Sequence, residues 1–331
     1  MSVDLTAAWH RLIANGTLKN TFEDAAGRKI EAGVRMGPHG PESYAIAVDT
    51  GDSVCAPAEL VRLESGMEIL FNPVGGLKPH TRPAQAGRQP DMPADAASCP
   101  LRCQNPQHPL SILRRPLLVE TACPHRRWRA FPNVAPWEAR GLLVWAPAPA
   151  GSDPGTLPHL PQRMECGDLE DFLAIARASE GMTTFFNSLH GGASANHLHF
   201  QSVACERPLA VEIAARRAHG RYTLLANYPA GGVVFPLDAA AETLWAPLER
   251  IQAAGYPFNL IALPAGIFLF VRSPEQEILA EFPGRAFGAI NFAGVFITSD
   301  AAERARVNEE TIAAAYSRMT VGGELLLELL G

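Results

Sequence analysis

The chain has 331 residues, 47% hydrophobic and 19% charged, the profile of an ordinary soluble globular protein with core enough for one large or two medium domains. A net charge of -6 excludes a general nucleic-acid binder, which needs a basic stripe, but leaves room for a nucleotide held by a few local cations and backbone donors. No apolar run reaches membrane-spanning length, the opening MSVDLTAAWHRLIANG lacks the apolar core of a signal peptide, and six cysteines are too sparse for a disulfide scaffold, so a cytoplasmic protein is expected.

Leu5, Trp9, Leu12 and Ile13 recur at helical spacing over residues 4–15, and Asn15-Gly16 ends that helix. From 21 to about 70 the pattern is irregular and β-rich, with strands expected at 43–48 and 68–71. The stretch NPVGGLKPHTRP (72–83) joins a Gly-Gly turn to Lys78, His80 and Arg82, and a solvated basic turn is preferred there over a phosphate loop. Residues 83–98, rich in Pro, Ala, Gly and Asp, read as a flexible surface loop. SCPLRCQNPQH follows, with Cys123 and His125 beyond it. Zinc takes four nitrogen or sulfur ligands in a tetrahedron, which makes Cys99, Cys103, His108 and Cys123 the candidate set for a structural ion. The CxxxC spacing is less diagnostic than CxxC, and a group of free, partly buried thiols is the competing reading.

PNVAPWEARGLLVWAP (132–147) leads from an Asn-x-x-Pro turn into an apolar strand at 142–145. After a loop at 149–161, Asp168 is expected to cap a helix whose stripe is Leu169, Phe172, Leu173 and Ala176, with Gly181 ending it. Then comes FFNSLHGGASANHLHFQ (185–201): an apolar strand, a loop of small residues, and a strand of alternating character. Successive strand side chains point to opposite faces, so His197, His199 and Gln201 are expected on one face and Leu198, Phe200 and Ser202 on the other. Behind them lies a glycine-rich turn whose N–H groups can approach an anion. The two histidines alone fit a metal pair, or no role, about as well as catalysis.

Strands are expected at 222–227 and 232–235, a helix interrupted by Pro247 at 238–254, and a strand pair at 258–263 and 267–272 around Pro264-Ala265-Gly266. GAINFAGVFIT (288–298) reads as a strand, and Asp300 with Glu303 forms a capping box for a last helix running to Met319. The fold class is therefore α+β, with two halves, 1–206 and 207–331, closing one sheet.

The string from Asn187 to Gln201 resembles the active-site segment of the histidine-triad superfamily, in the HxHxQ branch where Gln replaces the last His. That branch holds galactose-1-phosphate uridylyltransferase, the diadenosine tetraphosphate phosphorylases (ATP adenylyltransferases) and the GDP-hexose phosphorylases. "FNSL" with "NHLHFQ" looks most like the GDP-L-galactose and GDP-D-glucose phosphorylases, whereas "GAS" before HxHxQ is also similar to the dinucleotide phosphorylases. The similarity covers roughly residues 130 to 320. It implies a histidine-triad-like antiparallel sheet with packed helices, and His199 as the nucleophile at the α-phosphate. His197 would orient the neighbouring network and Gln201 would donate to a phosphate oxygen. Gly191, Gly192, Ser194 and Asn196 would cradle the phosphates with help from Asn187, and Asn133 would meet the ribose or base. The role of His190 stays open. The uridylyltransferases carry a CPLC-type zinc pair in a comparable place, from which this chain departs by one inserted residue, Arg102.

The resulting expectation is a GDP-hexose phosphorylase that passes a nucleotidyl group through His199 to inorganic phosphate, with no organic cofactor. A dinucleoside polyphosphate phosphorylase and a non-catalytic nucleotide- or metal-binding protein are the alternatives. The resemblance leaves monomer and homodimer open.

Overall fold

The computed structural model describes residues 4–24, 27–77, 86–108, 111–133, 136–149, 156–283 and 286–331. The basic turn bearing Lys78, His80 and Arg82, the first residues of the 83–98 loop and residues 150–155 of the 149–161 loop lie outside these. An opening helix, α1 (Leu5–Ala14), precedes a three-stranded antiparallel sheet of β1 (Lys19–Glu23), β2 (Lys29–Gly37) and β3 (Gly40–Ala47). β4 (Glu59–Arg62) and β5 (Glu68–Phe71) come next, then β6 (Val119–Ala122), β7 (Arg127–Pro132) and β8 (Leu142–Pro147). Helix α2 (Cys166–Ala178) leads into β9 (Met182–Asn187) and β10 (Phe200–Ala204).

The second half holds α3 (Ala210–Ile213), β11 (Ala215–His219), β12 (Tyr222–Ala226), β13 (Val233–Phe235) and α4 (Ala241–Ala253). β14 (Phe258–Leu263) and β15 (Gly266–Val271) form the expected hairpin. α5 (Ala289–Phe292), β16 (Val295–Thr298), α6 (Ala301–Arg306), α7 (Glu309–Met319) and α8 (Gly323–Leu330) complete the chain. GAINFAGVFIT is thus a helical turn followed by a short strand. The expected last helix is two helices, with Asn308 Oδ1 capping α7 at Thr311 N (2.9 Å).

Ten strands make one antiparallel sheet in the order β11-β12-β13-β15-β14-β9-β10-β8-β7-β6. Strands of the first half occupy one side and strands of the second half the other, meeting where β14 pairs with β9. β16 crosses back to pair in parallel with β5, so the two halves also share a smaller sheet.

Both faces of the central strands are covered, and the sequence shows it. FNLIAL and GIFLFV are unbroken apolar runs, as expected for strands buried on both sides. Leu260, Leu269, Phe186 and Phe200 join one core with Trp128, Trp145, α2, α4 and α8. Their neighbours Ile261, Phe268, Phe270 and Phe185 join a second core with β5, β16, α5 and α7. Phe200 stacks on Trp128 with ring centroids 4.3 Å apart and meets Phe172 and Phe186 edge-on at 5.4 and 6.1 Å.

Helix α2 starts three residues earlier than expected. Glu165 precedes it, and Asp168, three residues on, accepts from Glu165 N (3.0 Å) and from Arg126 Nε (2.8 Å). Asp171 takes Trp128 Nε1–H and His125 N–H at 2.9 Å each, tying the helix to the turn before β7.

Because Phe200 is the point where three aromatic contacts converge, Phe200→Ala should cost about 3–5 kcal/mol of stability. Chemical denaturation checks this, and a loss under about 1 kcal/mol would contradict the packing described.

Candidate functional site

The site is the path of the chain from the end of β9 to the start of β10. β9 and β14 hold Asn187 opposite Asn259, after which the chain leaves the sheet. Ser188 begins a tight turn: its carbonyl accepts from Gly191 N (3.0 Å) and Ala193 N (3.4 Å), and its hydroxyl accepts from Phe258 N (2.8 Å). Gly192 has φ 96°, and a Cβ there would lie 2.6 Å from Phe287 O, so the turn requires glycine at this position. His190 also sits at positive φ, 58°, a strained conformation for a side-chain-bearing residue. It is held there by Glu277 and Asp91, whose carboxylates meet Nδ1 at 2.7 Å and Nε2 at 2.8 Å. The hydrogen bond to Glu277, above all, raises its pKa.

The HxH pair is not on a strand, because β10 begins only at Phe200. In place of a strand neighbour, Gln162 supplies the pairing groups. Its Oε1 accepts from His199 N (2.9 Å), and its Nε2 donates to His199 O (3.2 Å) and Asn187 O (2.8 Å). Its own N–H goes to Asn196 Oδ1 (3.0 Å). One side chain thus holds both backbone edges of His199 and joins it to the end of β9.

His199 is 3% exposed. Its Nδ1 lies 2.7 Å from His197 O, and a carbonyl can only accept, so Nδ1 carries the proton and Nε2 carries the lone pair. Burial pushes its pKa down to about 4, outweighing the contrary effect of the His197 carbonyl. The result is a neutral imidazole whose lone-pair nitrogen, Nε2, is fixed by tautomer and by backbone.

The imidazole of His197 does not join it. It turns to a group of Cys99, Cys103, His159 and His197, all buried but the half-buried His159, whose ligand atoms all lie within 4.8 Å of one another. His197 Nδ1 is 3.2 Å from His159 Nδ1 and 3.7 Å from Cys99 Sγ, and Cys103 Sγ is 3.4 Å from His159 Nδ1. His159 Nε2 donates to Ala94 O (3.0 Å), which leaves its Nδ1 bare toward the group. Tetrahedral zinc with Zn–N of about 2.1 Å and Zn–S of about 2.3 Å has N···N edges of about 3.4 Å and N···S edges of about 3.6 Å. The observed spacings match those edges, and the donor set is one that zinc accepts. Cys103 hydrogen-bonds to Cys99, which lowers the Cys99 pKa and raises that of Cys103, so one thiolate is favoured.

The candidate ligand set therefore changes. Cys99 and Cys103 belong to it, but His108 and Cys123 do not. Cys123 stands in the turn before β7, where burial and Asp171 raise its pKa to about 12, the opposite of a ligand thiolate. The extra residue in CxxxC is absorbed by Arg102, which adopts φ 51° and lets the two sulfurs converge.

Other expected contacts are placed differently as well. Asn196 is buried with both ends of its amide committed, Oδ1 to Gln162 N and Nδ2 to Met92 O (3.0 Å), so it braces the loop. Asn187 Oδ1 accepts from Asn259 Nδ2 and Ala289 N, at 2.8 Å each. Of the expected phosphate cradle, the Gly191 and Ala193 N–H groups turn inward to Ser188. Ser194 is exposed, and Gln201 is half-buried between Val144 and Phe185. Asn133 follows β7 level with Val203, four residues along and two strands across from His199, roughly 15 Å between backbones. It lines a cleft with Lys19, Arg114 and Arg115.

Gln162, His159, Asn259 and Arg272 were not singled out in the sequence. His159 stands 38 residues before His197 in a Pro-rich loop, a separation that no local spacing rule connects.

No protein-family model matches the chain, and no curated protein matches it in sequence. Solved structures do match it in fold. Yeast Ap4A phosphorylase Apa2 in complex with AMP superposes with TM-score 0.57 at 12% identity, covering 97% of this chain and 98% of that one. The same enzyme in complex with Ap4A gives 0.56 at 13% identity over 97% and 98%, and without a named ligand 0.55 at 13% over 98% and 97%.

Because the low pKa of His199 comes from burial, its imidazole should stay neutral through about pH 5.5, a unit below where a solvated histidine titrates. A histidine buried neutral contributes stability above its unfolded pKa that is lost as pH falls toward the folded value near 4. An NMR titration of the His199 ring checks this, and a midpoint near 6.5 would contradict it. The chain has the α+β, histidine-triad-like fold of Ap4A phosphorylase along essentially its whole length.

Proposed function

We propose that the chain is a nucleotidyltransferase of the phosphorylase type, working through a covalent nucleotidyl-His199. The observation that supports this reading is the buried His199 Nδ1–H···O=C bond to His197, which leaves Nε2 with the free lone pair a nucleophile needs. Nε2 attacks the α-phosphorus. An Nε2–P bond forms, the bridging P–O bond breaks, and the leaving phosphate takes the electron pair. The ring becomes cationic, and the His197 carbonyl stabilises its Nδ1 proton. An oxygen of inorganic phosphate then attacks the same phosphorus, the P–N bond breaks, and the pair returns to Nε2. Gln201 and Ser194 are the uncommitted side chains beside this path. Positioning, more than strong acid catalysis, supports a transfer of this kind.

The substrate class we favour is a dinucleoside polyphosphate such as Ap4A. The full-length likeness to an Ap4A phosphorylase, solved with AMP and with Ap4A, supports it over the GDP-hexose reading. The wording "FNSL" and "NHLHFQ" still favours a GDP-hexose, so both are tested together. We also propose a structural zinc on Cys99, Cys103, His159 and His197. It would supply charge and rigidity that fix the His197 backbone; the transfer steps are carried by His199 itself.

Incubation with Ap4A and inorganic phosphate should yield ADP and ATP, and His199→Ala should lose at least about a thousandfold in rate. Turnover of GDP-hexoses alone would change the substrate, and turnover of neither, or full activity in the variant, would overturn the proposal. Metal analysis should find about one zinc per chain, lost in Cys103→Ser. A metal-free wild type that folds normally would remove the zinc.

A further inference from the structure

Arg272 directly follows β15 and is fully buried, yet no carboxylate pairs with it among the described residues. Its Nε donates to Met319 O (3.0 Å), and its Nη1 donates to Asn259 Oδ1 (3.1 Å) and Phe287 O (2.6 Å). The ring of Phe292 lies 4.4 Å away, and Nη2 has no hydrogen-bond partner. Glu277, the acidic group that acts on it from a distance, is occupied by His190 and Gln89 N. A buried cation surrounded only by neutral acceptors is costly unless it orients something useful.

What it orients is Asn259. An arginine can only donate, so the Asn259 atom facing it is the oxygen, and the amide end must point the other way. That end donates to Asn187 Oδ1 (2.8 Å) and to Gly191 O (2.6 Å). The Gly191 carbonyl is thereby turned inward. A trans peptide carries its C=O and N–H on opposite edges, so the N–H of the same peptide, which belongs to Gly192, points away from Asn259. It makes no hydrogen bond among the described residues, whereas Gly191 N and Ala193 N on either side are both spent on Ser188 O.

We propose that Asn259, fixed by the buried guanidinium of Arg272, is a positioning residue that presents the Gly192 N–H as a donor to a phosphoryl oxygen. The nucleotidyl-transfer reading supplies the identity of the phosphate; the donor itself rests on the peptide geometry. Asn259→Asp keeps the side-chain shape and gives Arg272 a carboxylate, while removing both N–H donors that hold the Gly191 carbonyl. Asn259→Ala removes them without adding charge.

The test is an amide NMR titration of wild type and both variants with inorganic pyrophosphate. In the wild type, pyrophosphate should shift the Gly192 amide. In the variants that shift should vanish and affinity should fall about tenfold or more, while a melting curve reports folding separately. Pyrophosphate that fails to bind the wild type, binds it without moving Gly192, or binds both folded variants equally well would overturn the proposal. A wild type that turns over neither Ap4A nor a GDP-hexose while Gly192 still responds to pyrophosphate would sink the transfer reading and leave the anion turn standing.

Discussion

The hydrogen bond from His199 Nδ1 to the carbonyl of His197 is the constraint on which the rest of the site depends. It selects the tautomer, aims Nε2, and requires that the chain between the two histidines leave the β-ladder. Leaving the ladder strands the backbone of His199, and buried backbone groups without partners cost about 1–3 kcal/mol each. Gln162 removes that cost by imitating a neighbouring strand with a side chain. The pieces are interdependent: a buried histidine off the strand needs a surrogate partner, and the surrogate is itself held by Asn187 and Asn196.

From this arrangement a buried polar chain runs from Gln162 through the Asn187 main-chain carbonyl, and from the Asn187 side chain through Asn259 to the guanidinium of Arg272. On the other side His197 enters the Cys99, Cys103 and His159 group. His199 is therefore pinned between two polar assemblies, set in a sheet whose faces are both sealed by apolar side chains. Buried networks of this kind are high-stakes, because losing one member leaves its partners buried and unpaired. A site that must hold a phosphorus in line with one nitrogen gains directly from such rigidity.

Much of the architecture was legible in the sequence because the signals were local. The apolar runs at 258–263 and 267–272 flank a three-residue turn, and the resemblance of HxHxQ with its glycine turn pointed to His199 and to the fold. The misread parts have physical causes. Asp168 was taken as the cap of α2, but with both Glu165 and Asp168 acidic the sequence does not say which one stands outside the helix. His108 and Cys123 were chosen as candidate ligands for nearness in sequence, whereas the side chains that stand beside Cys99 and Cys103 are His197 and, from a distant loop, His159. Asn196 was read as a phosphate ligand because it sits beside the histidines, but its amide braces the loop from inside. A polar residue beside a site reads the same in sequence whether it faces the ligand or the core.

The central claim is that Nε2 of His199 takes the nucleotidyl group. The most direct measurement is intact-protein mass, with peptide mapping, after mixing with Ap4A or a GDP-hexose in the absence of phosphate. The account predicts one nucleotidyl adduct per chain on His199, absent from His199→Ala and discharged by added phosphate to the nucleoside diphosphate. An adduct on another residue, or phosphate-dependent turnover by the His199→Ala protein, would contradict it.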